Sequence, residues 1–309
     1  MSRTLRALGV VPTPQRPGPG PVPDALVRAL ELTIGRRVDG MLAGDHRSSL
    51  LGRGTELAQV RPYETGDDVR LIDWNVTART GEPHVRVHLA ERVLVTWLAL
   101  DTSPSMAFGT AERRKSDVAL GVALALGHAA SVRGNRVGLV SYGGVDERVL
   151  PPRQGRVGLI GLLGALRETH EPAASQGSSL GVALRRLGAA ARQRSLAVIV
   201  SDFRGPRDWR RPLLEVAGRH EVLAVEIRDP REQRLEPAGV LWLVDPETGD
   251  ELRVDTGDRR LRERFAAAAD EERRSVAHEL SSAGVAHVVL STDRDWLRQL
   301  ATFLHVRRI

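Results

Sequence analysis

The chain has 309 residues, about twice the usual length of one domain, so one large domain or two smaller ones are open. Its 41% hydrophobic and 27% charged content is that of a soluble globular protein with enough apolar side chains for a sizeable core. Cysteine is absent, which excludes disulfides, thiolate metal sites and a cysteine nucleophile. No run approaches the roughly 18 apolar residues of a membrane span. The N-terminus lacks an apolar core followed by a cleavage site, so a cytoplasmic protein is expected. The 45 basic and 39 acidic side chains give a net charge of +6, yet only one of the 45 is a lysine, Lys115. Charges of both signs are interspersed and no basic block is interleaved with aromatics, so a nucleic-acid reading rests on arginine excess alone.

In chain order, residues 1–23 are rich in Pro and Gly and read as a disordered arm. Asp24 is a plausible cap for a helix carrying Leu26, Val27, Leu30 and Ile34, stopped at Gly35. Residues 40–83 are irregular, with extended pieces expected at 57–63 and 69–74, followed by an alternating strand at 84–90. Residues 93–100 form a short continuous apolar run, the mark of a strand buried on both faces. The pattern then predicts a helix over 111–132, a strand over 136–142, an edge strand near 148–150 and a helix around 157–168. A helix over 180–192, a strand over 196–200, a helix over 209–218 and a strand over 221–227 follow. Residues 240–244 and 251–255, joined through Pro246-Glu247-Thr248-Gly249, read as an inserted hairpin. A helix over 259–283, a strand over 285–290 and a terminal helix complete the chain. The alternation predicts an α/β fold with a doubly wound, mostly parallel sheet over 92–309, preceded by a small α+β module over 24–91.

Open sheets of this kind place ligands beyond the carboxyl ends of their strands. Two inner strands end in an aspartate, Asp101 and Asp202. Asp101 begins D-x-S-x-S, which adds the hydroxyls of Ser103 and Ser105, and Gly177-Ser178-Ser179 opens a helix with further hydroxyls. Asp101 as a cap with serines as turn residues is the plainer alternative. The shared placement at one sheet edge favours a metal site instead. Hard oxygen donors with few fixed charges suit Mg²⁺ or Mn²⁺, whereas zinc would want Cys or clustered His. His84 and His88, spaced H-x₃-H on a strand, have no acidic partner nearby and read as surface or core residues.

Residues 93–230 resemble a von Willebrand factor A-type domain, whose metal-ion-dependent adhesion site uses D-x-S-x-S, then Thr, then Asp. The resemblance implies metal ligation by Asp101, Ser103, Ser105, Ser178 in the Thr position, and Asp202. Upstream, Gly52-Arg53-Gly54, Arg61-Pro62-Tyr63, Gly66-Asp67-Asp68, Arg70, Ile72-Asp73-Trp74 and Ala78-Arg79 resemble the signature of the domain-of-unknown-function family 58. That likeness extends over roughly residues 36–305. It implies a MoxR-type AAA+ ATPase as partner, since members are commonly encoded beside one. Arg61, Arg70 and Arg79 are expected to pair with Asp67, Asp68 or Asp73 in a turn framework, and Trp74 to anchor a core or an interface.

The expected function is a non-enzymatic interaction module that binds a partner's carboxylate through Mg²⁺. The chain has no G-x-x-x-x-G-K-[ST] sequence for nucleotide hydrolysis. A phosphoryl-transfer enzyme with Asp101 as nucleophile is the alternative; it would want D-x-D, and position 103 is serine.

Overall fold

The computed structural model describes residues 14–21, 51–89, 95–132, 135–154 and 177–306. The helices expected at 24–35 and 157–168 lie outside the described residues. The chain divides into two compact units, Gly35–Leu94 and Met1–Ile34 with Val95–Ile309.

In the smaller unit, β1 (Leu51–Pro62) pairs antiparallel with β2 (His84–Leu89), with irregular register near Leu57. Between them lie a 3-10 turn (Val69–Leu71) and a short helix, α1 (Trp74–Thr80). The expected extended piece at 69–74 is thus a turn running into a helix, because two aspartates cap it. Asp68 accepts the Arg70 amide at 3.0 Å, and Asp73 accepts the amides of Asn75 and Val76 at 3.0 and 3.2 Å. Arg61 grips Asp67 through two bonds of 2.8 Å, and that fork holds the Asp67 carboxyl below its ordinary range. Asp73 pairs with Arg86 at 2.9 Å rather than with Arg70 or Arg79. Both of those arginines are exposed and form no ion pair with a described carboxylate. Trp74, 70% exposed, is no core residue. Tyr63 donates its amide to Pro83 O, and Gly66 turns the chain at φ +113°. The ring of His84 sits against Glu82 O at 2.8 Å within its own turn.

The larger unit is built on six strands: β3 (Val95–Asp101), β4 (Arg136–Tyr142), β5 (Val149–Gln154), β6 (Leu196–Ser201), β7 (Glu221–Arg228) and β10 (Ala286–Ser291). Their order is β10-β7-β6-β3-β4-β5, all parallel except the edge strand β5. β3 and β6 are buried along their whole length, as their unbroken apolar runs require. Helices α2 (Lys115–Val132) and α6 (Trp296–Val306) pack together on one face of the sheet. Helices α3 (Leu180–Ala190), α4 (Arg210–Ala217) and α5 (Arg259–Ser282) share a core with Trp97, Tyr142, Phe203 and Trp209 on the other. The fold is α/β and doubly wound. The hairpin β8 (Val240–Val244) with β9 (Glu251–Asp255) stands as a separate two-stranded ribbon. Among the described residues no helix is long and apolar enough to cross a membrane.

The Pro/Gly-rich arm departs from its expected disorder over the part described. Arg16 donates its amide to Glu112 O at 2.8 Å, Arg113 Nη1 donates to Gly18 O at 2.5 Å, and Trp296 Nε1 donates to Pro19 O at 3.0 Å. Backbone carbonyls anchor the arm where apolar side chains are few.

Candidate metal centre

Strand β3 connects through α2 to β4 on one side, while β6 lies on its other side, so the β3–β6 boundary is the topological switch point of the sheet. Asp101 ends β3 and Asp202 follows β6, which brings the two carboxylates to that crevice. Asp101 is 7% exposed. Its Oδ1 accepts the Ser103 amide at 3.0 Å, and its Oδ2 accepts Tyr142 OH at 3.2 Å and Ser201 Oγ at 2.6 Å. Burial, then the neighbouring Asp202 charge, push this carboxyl up to about 6. The Tyr142 phenol is likewise driven well above its ordinary value, first by burial and then by Asp101.

Pro104 opens a 3-10 turn after Ser103 and swings Ser105 back over the strand end. The hydroxyls of Ser103 and Ser105 lie 3.0 Å apart, and Ser105 Oγ donates to Asp202 Oδ2 at 2.9 Å. Asp202 is aimed by an unusual residue next to it: Phe203 has φ +56°, a conformation that a side chain with a Cβ adopts at some cost. That bend sends the Arg204 amide to Asp202 Oδ1 at 3.1 Å, and the Phe203 ring packs edge-on against Trp209 at 5.7 Å.

The Ser178 loop meets the Asp101 loop through glycines. Gly143, at φ +80°, sits so close that a Cβ would fall 2.9 Å from Ser103 Cβ, and a Cβ on Gly177 would collide with the Gly143 backbone. Ser178 therefore adjoins the centre, but its own bonds run elsewhere. Its amide donates to Glu147 Oε1, and its hydroxyl receives Arg186 Nη1 at 3.5 Å. The structure thus joins Asp101, Ser103, Ser105 and Asp202 directly and places Ser178 at the margin.

Several contributors carry no motif in the sequence. Lys115, the one lysine, is 0% exposed, with Nζ 2.7 Å from Asp202 Oδ2 and 2.6 Å from Glu232 Oε1. Burial pulls its pKa down, but the two carboxylates more than offset this and hold it above the ordinary lysine value. Burial raises Asp202 and Lys115 lowers it, with a net shift downward. Glu247, at the hairpin tip, accepts the Ser105 amide at 2.9 Å. Lys115 stood out only by its rarity, and Glu247 is 142 residues from its partner, beyond any local pattern.

Among the described residues no three of His, Cys, Asp and Glu cluster as metal ligands. The donor set is instead two carboxylates with two hydroxyls, all oxygen, which fits Mg²⁺ or Mn²⁺ holding several waters.

A family model described as "Protein of unknown function DUF58" matches residues 59–275. An uncharacterised protein of Mycobacterium tuberculosis, Rv1480, is 42% identical over 284 residues, covering 92% of this chain and 89% of that protein. Among solved structures, the conserved hypothetical protein BatB of Bacteroides thetaiotaomicron is similar at 17% identity with a TM-score of 0.45, covering 69% of this chain and 97% of that one. A von Willebrand factor type A protein of Catenulispora acidiphila gives 15% identity and a TM-score of 0.38, covering 71% of this chain and 42% of that one. With the family model running from β1 into α5, and a relative this close over nearly its whole length, the chain belongs to the DUF58 family.

Proposed function

We propose that this chain is a non-enzymatic protein–protein interaction module of the metal-ion-dependent adhesion type, acting with a MoxR-type AAA+ ATPase in the assembly or maturation of a complex. Asp101, Ser103, Ser105 and Asp202, with Ser178 from the adjoining loop, would hold Mg²⁺ or Mn²⁺ directly or through water. The bound ion would supply an open coordination position for a partner's carboxylate. The observation that carries this reading is the hydrogen-bonded run Ser103–Ser105–Asp202 beside Asp101 at the switch point of the sheet. Glu247 adds to it, because a carboxylate already rests on the Ser105 amide, so the loop has room and a donor for one. Tyr142 and Ser201 orient Asp101, and Phe203 and Trp209 hold the bend that presents Asp202.

The enzymatic alternative is disfavoured by the same geometry. Both oxygens of Asp101 accept hydrogen bonds from fixed donors, and the side chain is nearly enclosed, which leaves little approach for in-line attack on a phosphorus.

The test is calorimetric titration of Mg²⁺ into wild type and Asp101→Ala, followed by copurification with a MoxR-type ATPase in Mg²⁺ and in chelator. One site in wild type, absent in Asp101→Ala, with capture only in Mg²⁺, is expected. Equal Mg²⁺ binding by both proteins, or capture indifferent to chelator, would end the proposal.

A further inference from the structure

Lys115 sits where the metal reading wants positive charge. Its ammonium bridges Asp202 and Glu232 with no solvent contact, 5.9 Å from the Phe108 ring centroid. Asp202 Oδ2 already accepts both Lys115 and Ser105, and Oδ1 accepts the Arg204 amide. Arg204 also faces this bridge, with Nε 3.9 Å from Glu232 Oε1, and Asp101 is near enough for the Asp202 charge to act on it. Two carboxylates, Asp202 and Glu232, thus meet around one ammonium. A chain that uses arginine for every other basic position places its single lysine here. The ammonium is a compact point charge, and here it bridges two carboxylates with no solvent contact.

We infer that the Lys115 ammonium is a built-in cation of this centre, which holds Asp202 when no divalent ion is bound and opposes the entry of one. The inference rests on the metal reading above and extends it: recognition through the ion is then set by competition between a tethered charge and a free one. An ammonium and a divalent cation sharing one carboxylate repel strongly in a crevice screened poorly by water. Removing the ammonium leaves Asp202 with a vacancy that the ion can fill.

The experiment uses the full chain as wild type, Lys115→Met, which keeps the apolar stem, and Lys115→Met/Glu232→Gln, which also removes one carboxylate left without its partner. Mg²⁺ affinity is measured by calorimetry, and melting is followed in chelator and in excess Mg²⁺. The variants are expected to bind Mg²⁺ at least about tenfold more tightly than wild type, and to gain more in melting temperature from Mg²⁺. A variant that folds only with Mg²⁺ present supports the inference, since the ion then replaces the ammonium. Equal affinity in wild type and a folded variant would overturn it while leaving the metal site standing. Mg²⁺ binding by none of the three proteins would overturn both. So would failure of both variants to fold in chelator and Mg²⁺ alike overturn this inference, because no divalent ion would then stand in for the lysine.

Discussion

At Asp101, burial and the neighbouring Asp202 charge work against the fold. The Asp101 carboxyl is raised to about 6 from an ordinary value of 3.8, so between about pH 4 and pH 6 the folded protein keeps a proton that the unfolded chain gives up. Stability from this group is therefore greatest at acid pH and falls as pH rises through that window. Asp101→Asn, melted in chelator, is expected to gain on wild type by up to roughly 3 kcal/mol at neutral pH and by little near pH 4. A constant gap across pH would show that the charge is not the cause. Gly143 makes a second test at this scale. Gly143→Ala forces a Cβ into a left-handed backbone and against Ser103, and is expected to cost at least about 1–2 kcal/mol by denaturant melt. Because Ser103 is what moves, Mg²⁺ binding should weaken with it.

Elements built on burial were legible, and elements built on caps were not. Residues 93–100 and 196–200 could be read as strands because a short, nearly continuous apolar run suits an inner strand of a parallel sheet, and strands stand at 95–101 and 196–201. The hairpin was marked by its Pro-Glu-Thr-Gly turn between a short apolar run and an alternating one. Residues 69–74 misled because Val69, Leu71 and Ile72 are good strand formers, while the deciding groups are the Asp68 and Asp73 carboxylates that cap a turn and a helix. The same carboxylate settles the roles of the arginines. Asp73→Ala removes the α1 cap and the Arg86 partner together and is expected to lower the melting temperature. Arg79→Ala, with its side chain in solvent, is expected to melt as wild type does. The opposite order in a thermal melt would restore Arg79 to the framework. Asp101, Ser103, Ser105 and Asp202 were readable as a centre from strand ends and spacing, whereas the Lys115–Glu232 bridge depends on side chains 117 residues apart.

Across the whole molecule, the arm and the centre make separate demands. Residues 14–21 are tied by Arg113 and Trp296, so a chain lacking residues 1–21 is expected to melt a few degrees lower, with Mg²⁺ affinity unchanged. An unaltered melt would show that those carbonyl contacts contribute nothing to stability. The adjacency of β3 and β6, strands about 100 residues apart in sequence, bears on how the protein is made. On the ribosome, β3 emerges long before β6, so its unpaired edge waits until residue 201 has cleared the exit tunnel. Glu232 and Glu247 arrive later still. A prematurely terminated chain can thus carry D-x-S-x-S in full and have no centre, while exposing the inner strand on which the centre would have been built.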